Sequence, residues 1–242
     1  MRGWWREIAG LVLPVACGGC GRPRSELCEG CRAALYGAAP QRVRPAPEPV
    51  GLPVVHAAAA YENAVRAVLL AHKERGALPL SRALGSALAG AVRAGTGQKG
   101  GPGPLLLVPV PSARRAVAAR GHDPARRIAL AAAGELRRGG IPARVVPVLR
   151  QRRPVTDQSG LGASQRQANL AGALEVVAGG ERLLAAERVV LVDDLMTTGA
   201  SLTEAARAVE AAGGGRRRPG SGTGQAAVVA ASPTAFAINR NC

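Results

Sequence analysis

Val189 to Ser201 reads VVLVDDLMTTGAS, and the order of residue types in it decides how the rest of the chain is read. Four apolar residues, β-branched apart from Leu191, run straight into two adjacent carboxylates, Asp193 and Asp194. The loop Met196 to Ala200 follows, and then SLTEAARAVEAAG, whose apolar spacing is helical. This order predicts a buried strand that carries two acids at its carboxyl end, then a short loop, then a helix start. The unpaired N–H groups and dipole of such a helix start favour an anion. Gly199 lets backbone and ligand approach closely. Consecutive residues on a strand point opposite ways, so the strand end has to splay if Asp193 and Asp194 are to reach one ligand. A plainer reading exists in which Ser201 and Glu204 form the S-x-x-E of a capping box and Asp-Asp is a solvated turn. Acids, loop and helix start together favour a ligand site, suited to a molecule with both hydroxyls and a phosphate.

Around this segment the pattern alternates between strand and helix. VVHAAAAY reads as a strand, and ENAVRAVLLAHKERG as an amphipathic helix with Val65, Leu69 and His72 on one side. SRALGSALAGAVRAG is a second helix, the glycine-rich stretch Gly95 to Gly103 a loop, and LLLVPVP a continuous apolar strand. DPARRIALAAAGELRRGG is a helix with Asp123 as N-cap and Pro124 at its first position. ARVVPVLR, GALEVV, ERVVLVDD and QAAVVAAS complete the strands. Such alternation implies an α/β domain over 54–238, with a mostly parallel sheet and ligands at the strand carboxyl ends. Residues 151–169 are polar and unpatterned, as a mobile or functional loop would be, and 213–224 are low-complexity. Residues 41–53, QRVRPAPEPVGLP, form a proline-rich linker that excludes regular structure. It separates the domain from an N-terminal element, residues 1–40.

That element carries Cys17, Cys20, Cys28 and Cys31, two C-x-x-C knuckles that can share one metal. Gly18, Gly19 and Gly21 free the backbone for the tight turn, and so small a segment depends on metal for its stability. Structural zinc in a closed site is favoured. Disulfides and an iron–sulfur cluster are the rival readings. Cys242 has no partner at metal-binding spacing.

The chain has 242 residues, enough for one good-sized domain and a small appendage. Its formal charge of +16 comes almost wholly from arginine, since Lys73 and Lys99 are the only lysines. Biased codon usage explains part of this, so the charge alone does not establish nucleic-acid binding. Trp4, Trp5, Tyr36, Tyr61 and Phe236 are scattered, not interleaved with basic residues as base-stacking platforms are. Arginines crowd between Arg114 and Arg166, which suits a small anionic ligand equally well. No run approaches the roughly 18 to 20 apolar residues of a membrane span. The start, MRGWWREIAGLVLPVAC, imitates a lipoprotein signal, but Glu7 and Pro14 break the imitation, and the expected location is cytoplasmic.

VVLVDDLMTTGAS resembles the phosphoribosyl-diphosphate (PRPP) signature of the type I phosphoribosyltransferases. The resemblance implies that Asp193 and Asp194 hold the ribose hydroxyls. Thr197, Thr198, Gly199 and Ser201 then cradle the 5′-phosphate, with backbone from Met196 and Ala200. VPVPSARRAVAARGHDPARRIA, Val108 to Ala129, is similar to the ComF family within that superfamily, with Arg120, Gly121, His122, Asp123 and Pro124 standing at an R-G-F-N-Q-like run. His122 and Asp123 depart from the aromatic–amide pair of that run. Arg114, Arg115 and Arg120 suit a diphosphate clamp, although exposed arginines on an ordinary strand-to-helix connection would look the same. Lys73 matches a lysine that ComF proteins carry after their first helix, or else is a helix-end cation facing the dipole. RRPVTDQSGLGASQRQANLAGALEV preserves the family order Arg153, Thr156, Gln158, Leu161, Arg166, Asn169 and Leu170. The superfamily has a loop there that closes over the site. ComF relatives also carry a comparable four-cysteine element.

The resemblance therefore implies a type I phosphoribosyltransferase fold with a zinc element, binding PRPP with magnesium. The reaction it implies is displacement of diphosphate by a nitrogen acceptor that the sequence does not identify. The rival reading is a non-catalytic PRPP- or nucleotide-sensing accessory of DNA uptake (competence). Such a protein would touch single-stranded DNA or competence proteins. A second copy of the chain, in a homo-oligomer, is a further candidate partner.

Overall fold

The apolar run before Asp193 is the middle of a sheet. The computed structural model describes residues 16–97, 103–153, 163–185, 188–213 and 224–237. In chain order the elements are α1 (Glu29–Tyr36), β1 (Gln41–Val43), β2 (Val54–Ala60), α2 (Asn63–Glu74), α3 (Ser81–Thr96), β3 (Leu105–Pro109), α4 (Arg114–Arg120), α5 (Pro124–Arg138), β4 (Ala143–Val145) and β5 (Leu149–Gln151). They continue as α6 (Ala163–Leu170), β6 (Leu174–Val176), α7 (Gly180–Ala185), β7 (Arg188–Met196), α8 (Ala200–Ala212), β8 (Gln225–Ala231) and α9 (Thr234–Ala237). A six-stranded sheet has the order β1-β2-β8-β7-β3-β4, parallel throughout except for the antiparallel edge strand β1. The chain is thus an α/β fold with a mostly parallel sheet flanked by helices.

Side chains alternate between the two faces of the central strands. Leu105, Leu107, Val190, Val192 and Val229 face one core with α1, α2, α3 and α5, where Leu35, Leu69, Leu84, Leu88 and Ile128 are buried. Leu106, Val108, Leu191 and Val228 face the other, with Leu202 and Val209 of α8 and Leu174 of β6. Burial on both faces is why these strands read as continuous apolar runs, not alternating ones.

The connection from β3 through α5 leads outward to β4, and the one from β7 through α8 leads the opposite way to β8. The two helices lie on opposite faces. Strand order therefore reverses between β3 and β7, and the crevice at their carboxyl ends is where open α/β sheets receive ligands.

Several expectations need correction. The proline-rich stretch 41–53 is not free of regular structure, because Gln41–Val43 pairs with Val55–Ala57 at the sheet edge. ARVVPVLR is not one strand. Pro147 splits it into β4, in the main sheet, and β5, which pairs antiparallel with β6 in a separate two-stranded sheet. Residues 163–169 of the expected loop belong to α6, while 154–162 lie outside the described residues. So do 214–223 of the low-complexity stretch. Asp123 does cap α5, accepting the Arg126 N–H at 3.1 Å, with Pro124 at the first helical position. No helix among the described residues is long and apolar enough to cross a membrane.

Glu204 is the exception in an apolar helix face. It is buried on α8, where Oε1 accepts the Leu174 N–H at 2.9 Å and both its oxygens accept from Arg207. Burial alone would raise its pKa, but the Arg207 guanidinium and backbone N–H donors of Leu174 and Gly172 hold it below its ordinary value. Arg207 Nη2 also donates to the Leu174 carbonyl at 2.9 Å, so an ion pair within α8 holds β6 through two backbone hydrogen bonds at Leu174. A carboxyl with a depressed folded pKa stabilises above its unfolded value, and that stabilisation is lost as pH falls through the folded value. Glu204→Leu is expected to lower stability by about 3 kcal/mol at neutral pH, because it strands Arg207 and the Leu174 N–H. Urea unfolding of wild type and variant should converge as the pH is taken down through the acid range.

Candidate functional site

β7 does not stop at its acids. The last β3–β7 bond runs from the Val110 N–H to the Val192 carbonyl, 2.9 Å, but pairing with β8 continues through Asp193, Leu195 and Met196. From Asp193 onward one edge of β7 is therefore open toward the crevice beyond β3. The expected splaying of the strand is absent, and the two acids meet different partners. Asp194 is buried and accepts from Lys73 Nζ at Oδ2, 2.8 Å. Asp193 is half-buried and turns back on the chain, its Oδ1 accepting the Asp194 N–H at 2.8 Å. Burial, then the adjacent Asp194 charge, pushes the Asp193 carboxyl well above the usual carboxylate range, with Lys73 opposing in part. Burial would lower the Lys73 ammonium, but Asp194 outweighs it and the net shift is upward.

Asp193 lines a small open depression whose remaining wall is Leu195 to Leu202. The predicted phosphate residues Met196, Thr197, Thr198, Gly199, Ala200 and Ser201 are thus brought together with Asp193, while Asp194 lies outside this lining. The cap of α8 is Gly199, in the left-handed conformation (φ 80°), and no side chain caps the helix. The capping-box reading fails, since Ser201 is already inside the helix and Glu204 is committed to Leu174 and Arg207. The first N–H groups of α8 have no acceptor within the helix and open on the depression. A Cβ at Gly199 would stand 2.9 Å from Leu52 Cδ1, so the supposed linker forms the floor beneath the loop. Nothing in the sequence pattern around Leu52 announced this.

The cationic residues divide. Arg120 is half-buried and donates to Glu74 at 3.0 Å, one residue from the Lys73–Asp194 pair. Arg114 and Arg115 lie exposed on the first turn of α4, a helix that replaces the loop expected after VPVP. Arg153 Nη2 donates to the carbonyls of Asn169 and Ala171, each at 2.9 Å, which ties the strand side of the expected closing loop to the end of α6. Gln158, Thr156 and Leu161 lie outside the described residues, and Arg166 and Asn169 are on α6. Leu170 and Ala173 pack on Ala200, so α6 ends directly over the start of α8. Sequence reasoning missed Glu74 and Arg207, ordinary helix-surface charges with no pattern to mark them.

The four cysteines converge. Their Sγ atoms all lie within 4.8 Å of one another, and no other such group of His, Cys, Asp or Glu occurs among the described residues. Tetrahedral zinc with Zn–S of about 2.3 Å needs sulfurs about 3.8 Å apart. Cys20 and Cys28 sulfurs are 3.5 Å apart, far beyond a disulfide bond, and all four cysteines are free. The spacing suits one ion such as zinc. Burial acts to raise the Cys17 thiol, but N–H donors of Cys28, Cys20 and Gly19 lower it to about 6, while burial pushes Cys31 up. Gly21 has φ 76°, as the turn requires, but Gly19 is needed for space: a Cβ there would be 2.6 Å from Cys31 Sγ. Cys17, Leu27, Cys31 and Leu35 share the apolar core of α2 and α3, so the element is built into the main fold.

No family model matches the chain, and no curated protein matches it in sequence.

Cys31→Ala is expected to abolish binding of one metal ion per chain, read by native mass spectrometry. Because the element shares the main core, the variant should unfold in one transition about 10 °C lower, on a loss of roughly 3 kcal/mol. Gly199→Ala combines a positive φ with contact on Leu52 and should cost about 2 kcal/mol by urea unfolding.

Proposed function

We propose that the chain is a ComF-like protein of the type I phosphoribosyltransferase fold. In this reading it binds PRPP with magnesium and transfers the phosphoribosyl group to a nitrogen acceptor, releasing diphosphate. The observation that carries the reading is the Asp193-to-Leu202 depression. It combines an acid, a left-handed glycine cap and free helix N–H groups at the point where strand order reverses.

The N–H groups from Thr198 to Ser201 would hold the 5′-phosphate, and Asp193 would accept from a ribose hydroxyl. Lys73 neutralises Asp194 at 2.8 Å, so a polyanion approaching the crevice meets one fewer bare carboxylate. Lys73 and Arg120 would face the diphosphate, with Arg114 and Arg115 at the mouth. In the displacement, the acceptor nitrogen bonds to the anomeric carbon as that carbon's bond to the diphosphate oxygen breaks, and the acceptor's proton passes to solvent. No protein nucleophile is needed. The residues contribute positioning and charge, and α6, seated on Ala200, excludes water over the loop.

Magnesium keeps several waters and uses one or two carboxylates with substrate phosphates, so Asp193 in the depression would suit it together with the diphosphate's own oxygens. When bound it would supply charge neutralisation to the departing diphosphate. Zinc at Cys17, Cys20, Cys28 and Cys31 would be structural.

The competence-accessory reading draws on the exposed Arg114, Arg115, Arg126 and Arg127 of α4 and α5. Calorimetry with PRPP and magnesium, followed by a screen of nitrogen bases for diphosphate release, tests the enzyme. Asp193→Asn is expected to weaken PRPP binding about tenfold, the effect of losing roughly 1.4 kcal/mol from a charged hydrogen bond. Salt-sensitive binding of single-stranded DNA that survives this substitution, with no release of diphosphate from any base, would favour the accessory. Absence of PRPP binding would overturn both.

A further inference from the structure

Two histidines meet beside the Lys73–Asp194 pair. His72, in the last turn of α2, is fully buried, with Nδ1 3.3 Å from the Ala77 carbonyl and Nε2 without a partner. The His122 ring packs edge-on against it, centroids 5.5 Å apart and planes at 62°. Each nitrogen of His122 faces a carbonyl oxygen: Nδ1 that of Arg120 and Nε2 that of His72, both at 3.2 Å. A carbonyl only accepts, so each contact is a hydrogen bond only when that nitrogen carries a proton. Both together require the imidazolium form. The two carbonyls belong to the last turns of α4 and α2, where C=O groups lack intrahelical partners and the helix end favours a cation.

We propose that His122, as an imidazolium, is a positioning residue that clips the end of α2 to the end of α4 and so holds the Lys73–Asp194 and Arg120–Glu74 ion pairs at one place for a diphosphate. The ligand rests on the PRPP reading, while the clip does not depend on it.

The surrounding charges allow this. Burial holds His72 below its ordinary pKa, against the Ala77 carbonyl at Nδ1, which raises it, while His122 and Arg127 lower it and Asp194 raises it more weakly. Lys73 is matched by Asp194 at 2.8 Å and Arg120 by Glu74 at 3.0 Å, so neither presents an uncompensated charge to the ring. Asp123, next in sequence and half-buried, accepts the Arg126 N–H. A His122 ring carrying a single proton would set a lone pair against a carbonyl lone pair at one contact, and the clip would open on that side.

Nitrogen-15 NMR of the wild-type chain tests the clip directly, with His122→Phe assigning the ring among the three histidines. Both His122 nitrogens should carry a proton, and His122→Phe should move the backbone amides of Lys73 and Gly121. A bare His122 ring nitrogen, or amides that the substitution leaves still, would overturn the proposal. A second measurement uses inorganic diphosphate with magnesium, in calorimetry of wild type and His122→Phe under the same conditions. The wild type should bind about fivefold tighter. Equal affinities count against the clip. If neither protein binds diphosphate, the PRPP reading falls and the NMR result alone judges the clip.

Discussion

A carboxylate at the end of a buried strand needs a counter-charge, and Asp194 finds it in Lys73, at 2.8 Å across 121 residues of sequence. Removing either partner would leave the other short of compensation in a poorly hydrated place. The pair therefore fixes where α2 ends relative to β7. The Glu74–Arg120 pair then brings α4 to the same point, and the histidine contacts close the arrangement from the other side. One side of the crevice is thus assembled by charge matching, while the other is assembled by the backbone of one loop.

The sheet makes the crevice available, and packing on both faces keeps it in place. One face carries the cysteine element in continuous apolar contact with α2 and α3, so the four-cysteine segment and the helix that carries Lys73 share a core. On the other face, Glu204 and Arg207 of α8 hydrogen-bond to the Leu174 backbone of β6. Both attachments run through helices that carry or begin the site.

How much of this was legible depended on whether a feature is local. The strand–acid–loop–helix order at Val189 could be read directly, as could the Asp123 cap and the cysteine knuckles, because each is set by neighbours within a few residues. Pro147 is a local signal too, but only the tertiary structure shows that the strand it interrupts goes on in another sheet. β1 was hidden among prolines because pairing with β2 outweighs the composition of a three-residue strand. The S-x-x-E pattern misled because Glu204 satisfies a backbone N–H 30 residues away, not one in its own first turn. In the site, Asp193 and the loop line one depression while Asp194 is in an ion pair, a division that follows from strand pairing with β8. That is information a single sequence does not carry.

Both margins of the main sheet end in strands of three residues, β1 and β4. A neighbouring molecule seeking to extend the sheet would find only a few ladder bonds on either side, too few to hold against thermal motion. Growth by strand addition, the usual route from parallel sheets to insoluble material, is therefore disfavoured by architecture. Among the described residues, the helical layers offer two copies a broader surface for association than these short edges do.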